Sequence, residues 1–328
     1  MLEHGGRLRQ AARASGTRPA DWLDLSTGIS PRPWPFPEIP ADCWTRLPED
    51  EDGLIEAAMA CYGAPALLPV AGTQAAIQLL PRLRAKSRVA VLSPAYAEHA
   101  HGWRLWGHEV HEVDLRTVER QIERFDVVVV VNPNNPTGEY RDSGRLKGWH
   151  AALRKGGGWL VVDEAFMDPT PEGSLAAETR HEGLIVLRSF GKFFGCPGAR
   201  LGFVAARPPL LEALRDIAGP WAVSGPARWL GQRALADSPW QAEARRQLVR
   251  DSRRLAALLT RYGLTPAGGT PLFQWVRTDD ARRLDAHLRR HLILPRRFEH
   301  PPGLRFGLPA TESGWSRLDH TLSAWRAA

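Results

Sequence analysis

Four short segments hold residue types that can do chemistry, and each falls where an apolar run ends or a helix pattern begins. Ser189-Phe190-Gly191-Lys192, followed by Gly198, Arg200 and Gly202, sets a lysine beside two phosphate-binding side chains. A lysine near sheet-end loops can act as a Schiff-base nucleophile when its charge is destabilised. Ser189 and Arg200 can both hold a phosphate, the arginine as a two-pronged donor. Asp163-Glu164-Ala165-Phe166 places a carboxylate where it can hold a protonated ring nitrogen; its plainer role is a helix N-cap. Asn132-Pro133-Asn134-Asn135-Pro136-Thr137-Gly138 fixes a turn with two prolines and presents amides just past a run of five valines. Ala71-Gly72-Thr73-Gln74 opens an apolar helix pattern. Its glycine allows close backbone approach, its threonine can cap, and free amides at a helix start attract an anion. Each segment alone has an ordinary structural use, the lysine above all as a surface residue. Together they read as one anionic-ligand site.

Elements must bring these segments to one place. The apolar runs Val89–Leu92, Val127–Val131, Leu160–Val162, Leu184–Leu187 and Phe203–Ala205 alternate with helix patterns such as Thr73–Leu83 and Ser143–Arg154. A run of unbroken valines suits a strand buried on both faces, as in a parallel sheet covered by helices. The order is that of an α/β fold, in which ligands bind at the C-terminal ends of the strands. After Pro208-Pro209 the text changes to a long Arg/Leu/Ala helix pattern, Gln241 to Tyr262, and weaker β patterns at Leu272–Val276 and Leu304–Leu308. The expected organisation is a large ligand-binding domain over residues 36–207, with 1–35 and 208–328 forming an N-terminal arm and a smaller α+β domain.

Composition narrows the function classes. The 328 residues carry 43 Lys and Arg against 36 Asp and Glu, a net charge of +7, with 43% hydrophobic residues. These are globular values. The basic surplus is dispersed, without a basic stripe or a helix-turn-helix, so nucleic-acid binding ranks last. No apolar run approaches the roughly 20 residues of a membrane span, and residues 1–13 lack an apolar leader core. Three cysteines without CxxC spacing suit a reduced cytoplasm. Dinucleotide and P-loop fingerprints are missing: at Gly191-Lys192 the next residue is Phe193, and Val186 stands where the first loop glycine belongs. His287 and His291 lie one helical turn apart, but the arginines between them read as a solvated face, and His108 and His111 do not have HExxH spacing; no metal site is expected.

The four segments, in this order and over nearly the whole chain, resemble the fold type I pyridoxal-phosphate enzymes of the class I/II aminotransferase superfamily. The resemblance implies a large domain with a mainly parallel central sheet flanked by helices, a smaller α+β domain, and pyridoxal 5'-phosphate as cofactor. It implies that Lys192 carries the cofactor covalently and moves protons, that Asp163 pairs with the pyridine N–H, and that Asn135 bonds the phenolic oxygen. Tyr96, in Ser-Pro-Ala-Tyr, resembles the aromatic residue stacked on the ring. Gly72, Thr73, Gln74, Ser189 and Arg200 are implied at the phosphate, and Phe166 beside the ring where many relatives have tyrosine. Arg305, in Gly-Leu-Arg-Phe-Gly, matches the arginine that grips the substrate's α-carboxylate. Leu47-Pro48 stands where many relatives have a Tyr-Pro that reaches the neighbouring subunit. Such enzymes are usually homodimers.

Which bond breaks depends on how the substrate is held, since the bond perpendicular to the cofactor ring is the one that overlaps its π system. Here the chain ends speak. His4-Gly5-Gly6, Asp24-Leu-Ser-Thr-Gly-Ile-Ser-Pro31, Gly219-Pro-Trp-Ala-Val-Ser-Gly225 and Ile293-Leu-Pro-Arg296 resemble the threonine-phosphate decarboxylases of cobalamin biosynthesis. Gly28, Ser30 and Ser224 replace asparagines of that pattern. The resemblance implies decarboxylation of L-threonine O-3-phosphate to (R)-1-amino-2-propanol O-phosphate, with His4, Gly5, Gly28, Asn135, Arg296 and Arg305 at the substrate. An aminotransferase such as one for histidinol phosphate is the nearest alternative. A non-catalytic regulatory or binding protein on the same scaffold is the second.

Overall fold

A computed structural model of the chain describes residues 4–326. In chain order the strands are β1 (Leu23–Asp24), β2 (Leu67–Val70), β3 (Arg88–Leu92), β4 (Glu109–Val113), β5 (Val127–Val131), β6 (Trp159–Asp163), β7 (Leu184–Ser189), β8 (Gly202–Ala205), β9 (Gly268–Thr270), β10 (Phe273–Arg277), β11 (Ile293–Leu294), β12 (Arg296–Phe298) and β13 (Gly303–Gly307). The chain divides into two units: a sheet unit, Pro33–Asn135 with Tyr140–Glu243, and a terminal unit, Met1–Arg32 with Pro136–Glu139 and Ala244–Ala328.

The sheet unit is built on seven strands in the order β2-β8-β7-β6-β5-β3-β4. Neighbours from β4 to β7 run parallel, and β8 is antiparallel to both β7 and β2. The five valines of β5 are all buried, as a strand covered on both faces requires. On one face Val127, Val129, Val161, Ile185 and Leu187 pack with Ala76, Ile77, Ala100, Trp103, Leu211 and Leu214 from three helices. The helix Ser143–Arg154 is capped at its start by Asp142, whose side chain accepts from the Arg145 amide. β4 reads Glu-Val-His-Glu-Val and is half-exposed at the sheet edge, so no apolar run announced it.

The terminal unit holds a four-stranded antiparallel sheet, β12-β13-β10-β9, and the parallel pair β1-β11. Ala12, Trp22 and Leu294 form its small cluster under the helix Leu8–Ser15. The chain passes from one unit to the other inside the helix Ser238–Arg261, so the helices Pro208–Ala218 and Gly225–Ala236 stay with the sheet unit, past the change of text at residue 208. His287 does not lie on a solvated face: it is buried and its ring contacts the Thr321 carbonyl at 2.9 Å, while His291 turns back to the His287 carbonyl. The leucines that share its helix, Leu284 and Leu288, bury that face despite the arginines between.

Candidate active site

The C-terminal ends of β5, β6 and β7 lie side by side, since Val131 is opposite Asp163 and Asp163 opposite Leu187. Past β5 the chain turns through Asn132 to Asn135. Two of these asparagines are staples: Asn132 exchanges hydrogen bonds with the Arg141 backbone, and Asn134 Nδ2 donates to the Pro94 carbonyl at 2.8 Å. Asn135 sits half-buried in the turn they fix.

Asp163 ends β6 and is 3% exposed. No helix follows it, so it is not an N-cap; its Oδ1 accepts from the Ala165 amide at 3.0 Å across a turn. Its Oδ2 lies 2.8 Å from His99 Nε2, and because a carboxylate only accepts, the imidazole N–H donates. His99 is itself buried, and its ring meets the ring of Tyr96 edge-on at 6.2 Å. Tyr96 donates to Gln74 Oε1 at 3.1 Å, and Gln74 Nε2 donates to Glu98 at 2.9 Å. Burial, then the nearby carboxylates of Glu98 and Asp163, push the Tyr96 hydroxyl up to about 12, so it stays a donor at working pH.

β7 ends at Ser189, which is buried, and the one-turn helix Phe190–Phe193 carries Lys192 back toward Phe166. Lys192 Nζ is 5.7 Å from the Phe166 ring centre. The chain has four lysines; Lys86, Lys147 and Lys155 are exposed and Lys192 is half-buried. Arg200 folds over Gly72. It adopts φ +52°, and its Nη2 would stand 2.6 Å from a Cβ placed on Gly72, whose own φ is +74°. A Cβ on Gly202 would meet the Thr73 amide at 2.7 Å. Glycines at 72 and 202 therefore let a guanidinium and a helix-start amide share one small corner. Gly72, Thr73, Gln74, Tyr96, Asn135, Asp163, Phe166, Ser189, Lys192 and Arg200 all lie in the sheet unit. Sequence reading missed His99. Its signal was its place one helical turn beyond Tyr96, which only matters once Asp163 is known to face that helix.

His4, Gly5, Gly28, Arg296 and Arg305 lie in the terminal unit. Arg305 on β13 is 5% exposed and directly opposite Arg296 on β12. Its Nη2 donates to the Ser26 carbonyl at 2.6 Å, and Arg296 Nη1 donates to the His4 carbonyl at 3.2 Å. A side chain on Gly5 would strike the Ser26 carbonyl at 2.4 Å, and the Gly6 amide donates to Ser26 Oγ at 2.8 Å. Gly28 is buried at φ +62°. Ser26, held in turn by Asp24 Oδ1, is the post around which this group is built, and sequence reading passed over it. Burial, reinforced by the charge of Arg296, pulls Arg305 down to about 9. A guanidinium keeps its proton at neutral pH, so both arginines stay positively charged. His108 has no part in either group: its ring accepts from the Ser87 amide and donates to the Pro81 carbonyl. Among the described residues no cluster of three His, Cys, Asp or Glu is placed to hold a metal ion.

Comparison with known proteins places the chain in one family. A family model described as "Aminotransferase class I and II" matches residues 52–314. The chain is 55% identical to a threonine-phosphate decarboxylase of Pseudomonas aeruginosa over 326 residues, 99% of this chain and 98% of that one. It is 43% identical to a threonine-phosphate decarboxylase of Sinorhizobium, covering 98% of each. Among solved structures, the histidinol-phosphate aminotransferase of Sinorhizobium meliloti in complex with pyridoxal-5'-phosphate superposes with a TM-score of 0.84 at 20% identity, covering 99% of this chain and 95% of that one.

Proposed function

The chain belongs to the class I and II aminotransferase family, and from that premise we propose that it is a pyridoxal 5'-phosphate enzyme that decarboxylates L-threonine O-3-phosphate to (R)-1-amino-2-propanol O-phosphate in cobalamin biosynthesis. The observation that carries the reading is the 55% identity to a threonine-phosphate decarboxylase along the full length, in a chain that keeps both the lysine site and the paired arginines.

The residues present fit the cofactor. Gly72 has no room for a side chain because Arg200 lies against it, which leaves the guanidinium and the Thr73 amide for a phosphate. Gly72, Thr73, Gln74, Ser189 and Arg200 would hold that phosphate, Lys192 the aldehyde carbon, Asp163 the ring nitrogen, Asn135 the phenolic oxygen, and Tyr96 and Phe166 the ring. Bound there, the cofactor supplies an electron sink for the pair left behind when a group departs from the amino carbon. His99 fixes the Asp163 carboxylate in one orientation, so its acceptor oxygen is aimed before any ligand arrives. Phe166 brings no hydroxyl, so the phenolic oxygen takes its donor from Asn135 alone of these two. Arg305 would grip the substrate carboxylate and Arg296, with His4, Gly5 and Gly28, its phosphate; two acids at fixed points leave the substrate little freedom to rotate. Lys192 Nζ would return a proton to the amino carbon after CO₂ leaves.

We assign the protein to the cytoplasm as a homodimer. Cys43, Cys61 and Cys196 are joined in no disulfide, which suits a reducing compartment. Phe36, Trp44, Leu47 and Trp221 of the sheet unit are all more than half exposed, an apolar display that a second copy would cover. Light scattering that returns the mass of one chain would refute the dimer.

The test of the function is CO₂ release from L-threonine O-3-phosphate by the cofactor-loaded protein with no 2-oxo acid present. Equal amounts of CO₂ and aminopropanol phosphate are expected. A reaction that releases no CO₂ and depends on 2-oxoglutarate would replace the reading with transamination.

A further inference from the structure

Behind the strand ends lies a buried group of charges that the proposed reaction does not use. Arg188 on β7 is 2% exposed. Its Nη1 donates to Glu164 Oε2 at 2.7 Å and lies 3.1 Å from Ser174 Oγ, and its Nη2 donates to Asp168. Glu164 also accepts from Ser174 Oγ at 2.5 Å and from the Leu175 amide at 2.7 Å. The Arg188 guanidinium lies 4.5 Å from the ring centre of Tyr62. Two acids and one arginine are thus enclosed together, each less than 5% exposed.

Such a cluster is a poor way to gain stability, because desolvation cancels most of the attraction and apolar side chains of equal size serve as well. What charges add is direction. Side chains alternate along a strand, so Arg188 and Glu164 face away from Leu187, Ser189 and Asp163. Glu164 directly follows Asp163; Arg188 directly precedes Ser189 and stands four residues before Lys192. The Glu164 amide closes the last bond between the strands, to the Leu187 carbonyl at 2.9 Å. The ion pair therefore clamps β6 to β7 at the point where both leave the sheet.

We infer that Arg188, gripped by Glu164 and Asp168, is a positioning residue that sets the place of Asp163 relative to Ser189 and Lys192 from the far side of the sheet. This rests on the cofactor reading above. The fork of a guanidinium can bridge two carboxylates at once; a lysine ammonium can reach them only as a point charge.

The test compares the parent protein with Arg188→Lys and with Glu164→Gln, Asp168→Asn and Arg188→Met made together, which removes all three charges. The readouts are melting temperature, affinity of the cofactor-free protein for pyridoxal 5'-phosphate, and the pH midpoint of the bound cofactor's absorption. The triple variant is expected to melt near the parent yet bind the cofactor more weakly and shift the midpoint, with kcat down on the order of a hundredfold and KM little changed. Arg188→Lys is expected to recover only part of each loss, and it decides the matter if the triple variant does not fold. Parent-like affinity and midpoint in the folded variants would overturn the inference, whatever their melting temperature. A parent protein that takes up no cofactor would overturn the underlying reading instead.

Discussion

Lysine is so scarce in this chain that the nucleophile can be identified chemically. Borohydride reduction of the cofactor-loaded protein is expected to fix the label on one peptide, that containing Lys192, since the other three lysines are exposed. Lys192→Ala should lose both the label and CO₂ release; label on Lys86, Lys147 or Lys155 would remove Lys192 from its role. Beside it, His99 is the residue whose importance rests on a single geometric fact, the 2.8 Å contact with Asp163. A hydrogen bond to a charged group is worth about 1.5–3 kcal/mol. His99→Leu fills the same buried space but leaves that carboxylate oxygen without its donor. Cofactor affinity should therefore fall by about tenfold or more, as 1.4 kcal/mol is a factor of ten. Titration of the cofactor-free variant gives the answer directly, and unchanged affinity would show that Asp163 needs no help from His99.

At the scale of elements, backbone shape carries as much of the site as side chains do. Gly72 has φ +74° and ψ 157°, a region open to glycine almost alone, where another residue costs about 1–3 kcal/mol. Its missing Cβ is also the space Arg200 occupies. Gly72→Ala is expected to weaken cofactor binding more than it lowers the melting temperature, because Arg200 can swing out but the phosphate corner then opens; equal melting and equal affinity would contradict this. This element shows where sequence reading succeeds. Gly72-Thr73, the valine run and Ser143–Arg154 were legible because strand burial, caps and glycine corners leave local marks. β2 and β4 were not, since one is four residues with a proline and the other an edge strand of polar residues. The turn after Asp163 and the Ser26 post left no mark either, because both are defined by partners distant in the chain. The change of text at 208 marks the end of the sheet rather than the end of its unit, whose last helices share the same Arg/Leu/Ala composition as those beyond.

At the scale of the whole molecule, the modest net charge of +7 conceals an asymmetry. The terminal unit has 21 arginines and 11 acidic residues, a net charge of +10, and no lysine; the sheet unit has 22 basic and 25 acidic residues, a net charge of −3. Many of the arginines are paired at the surface, among them Arg254 with Glu312 and Arg282 with Glu299, and such exposed pairs add little stability. The net positive excess instead makes a field around the unit that holds Arg296 and Arg305. A phosphorylated amino acid brings about −1.5 to −2 from its phosphate, and its carboxylate and ammonium offset each other. Long-range attraction between that charge and a positive unit raises the encounter rate, by about 10-fold or more in strong cases, and is screened over roughly 10 Å at 0.1 M salt. The second-order constant kcat/KM for L-threonine O-3-phosphate should therefore fall several-fold as ionic strength rises from low to physiological, while kcat holds. Charge reversal at exposed positions on other strands and helices than Arg296 and Arg305, such as Arg277→Glu with Arg290→Glu, should flatten that dependence without changing kcat. A salt dependence identical in the parent and the reversed variant would leave the contact arginines alone responsible for drawing in the substrate.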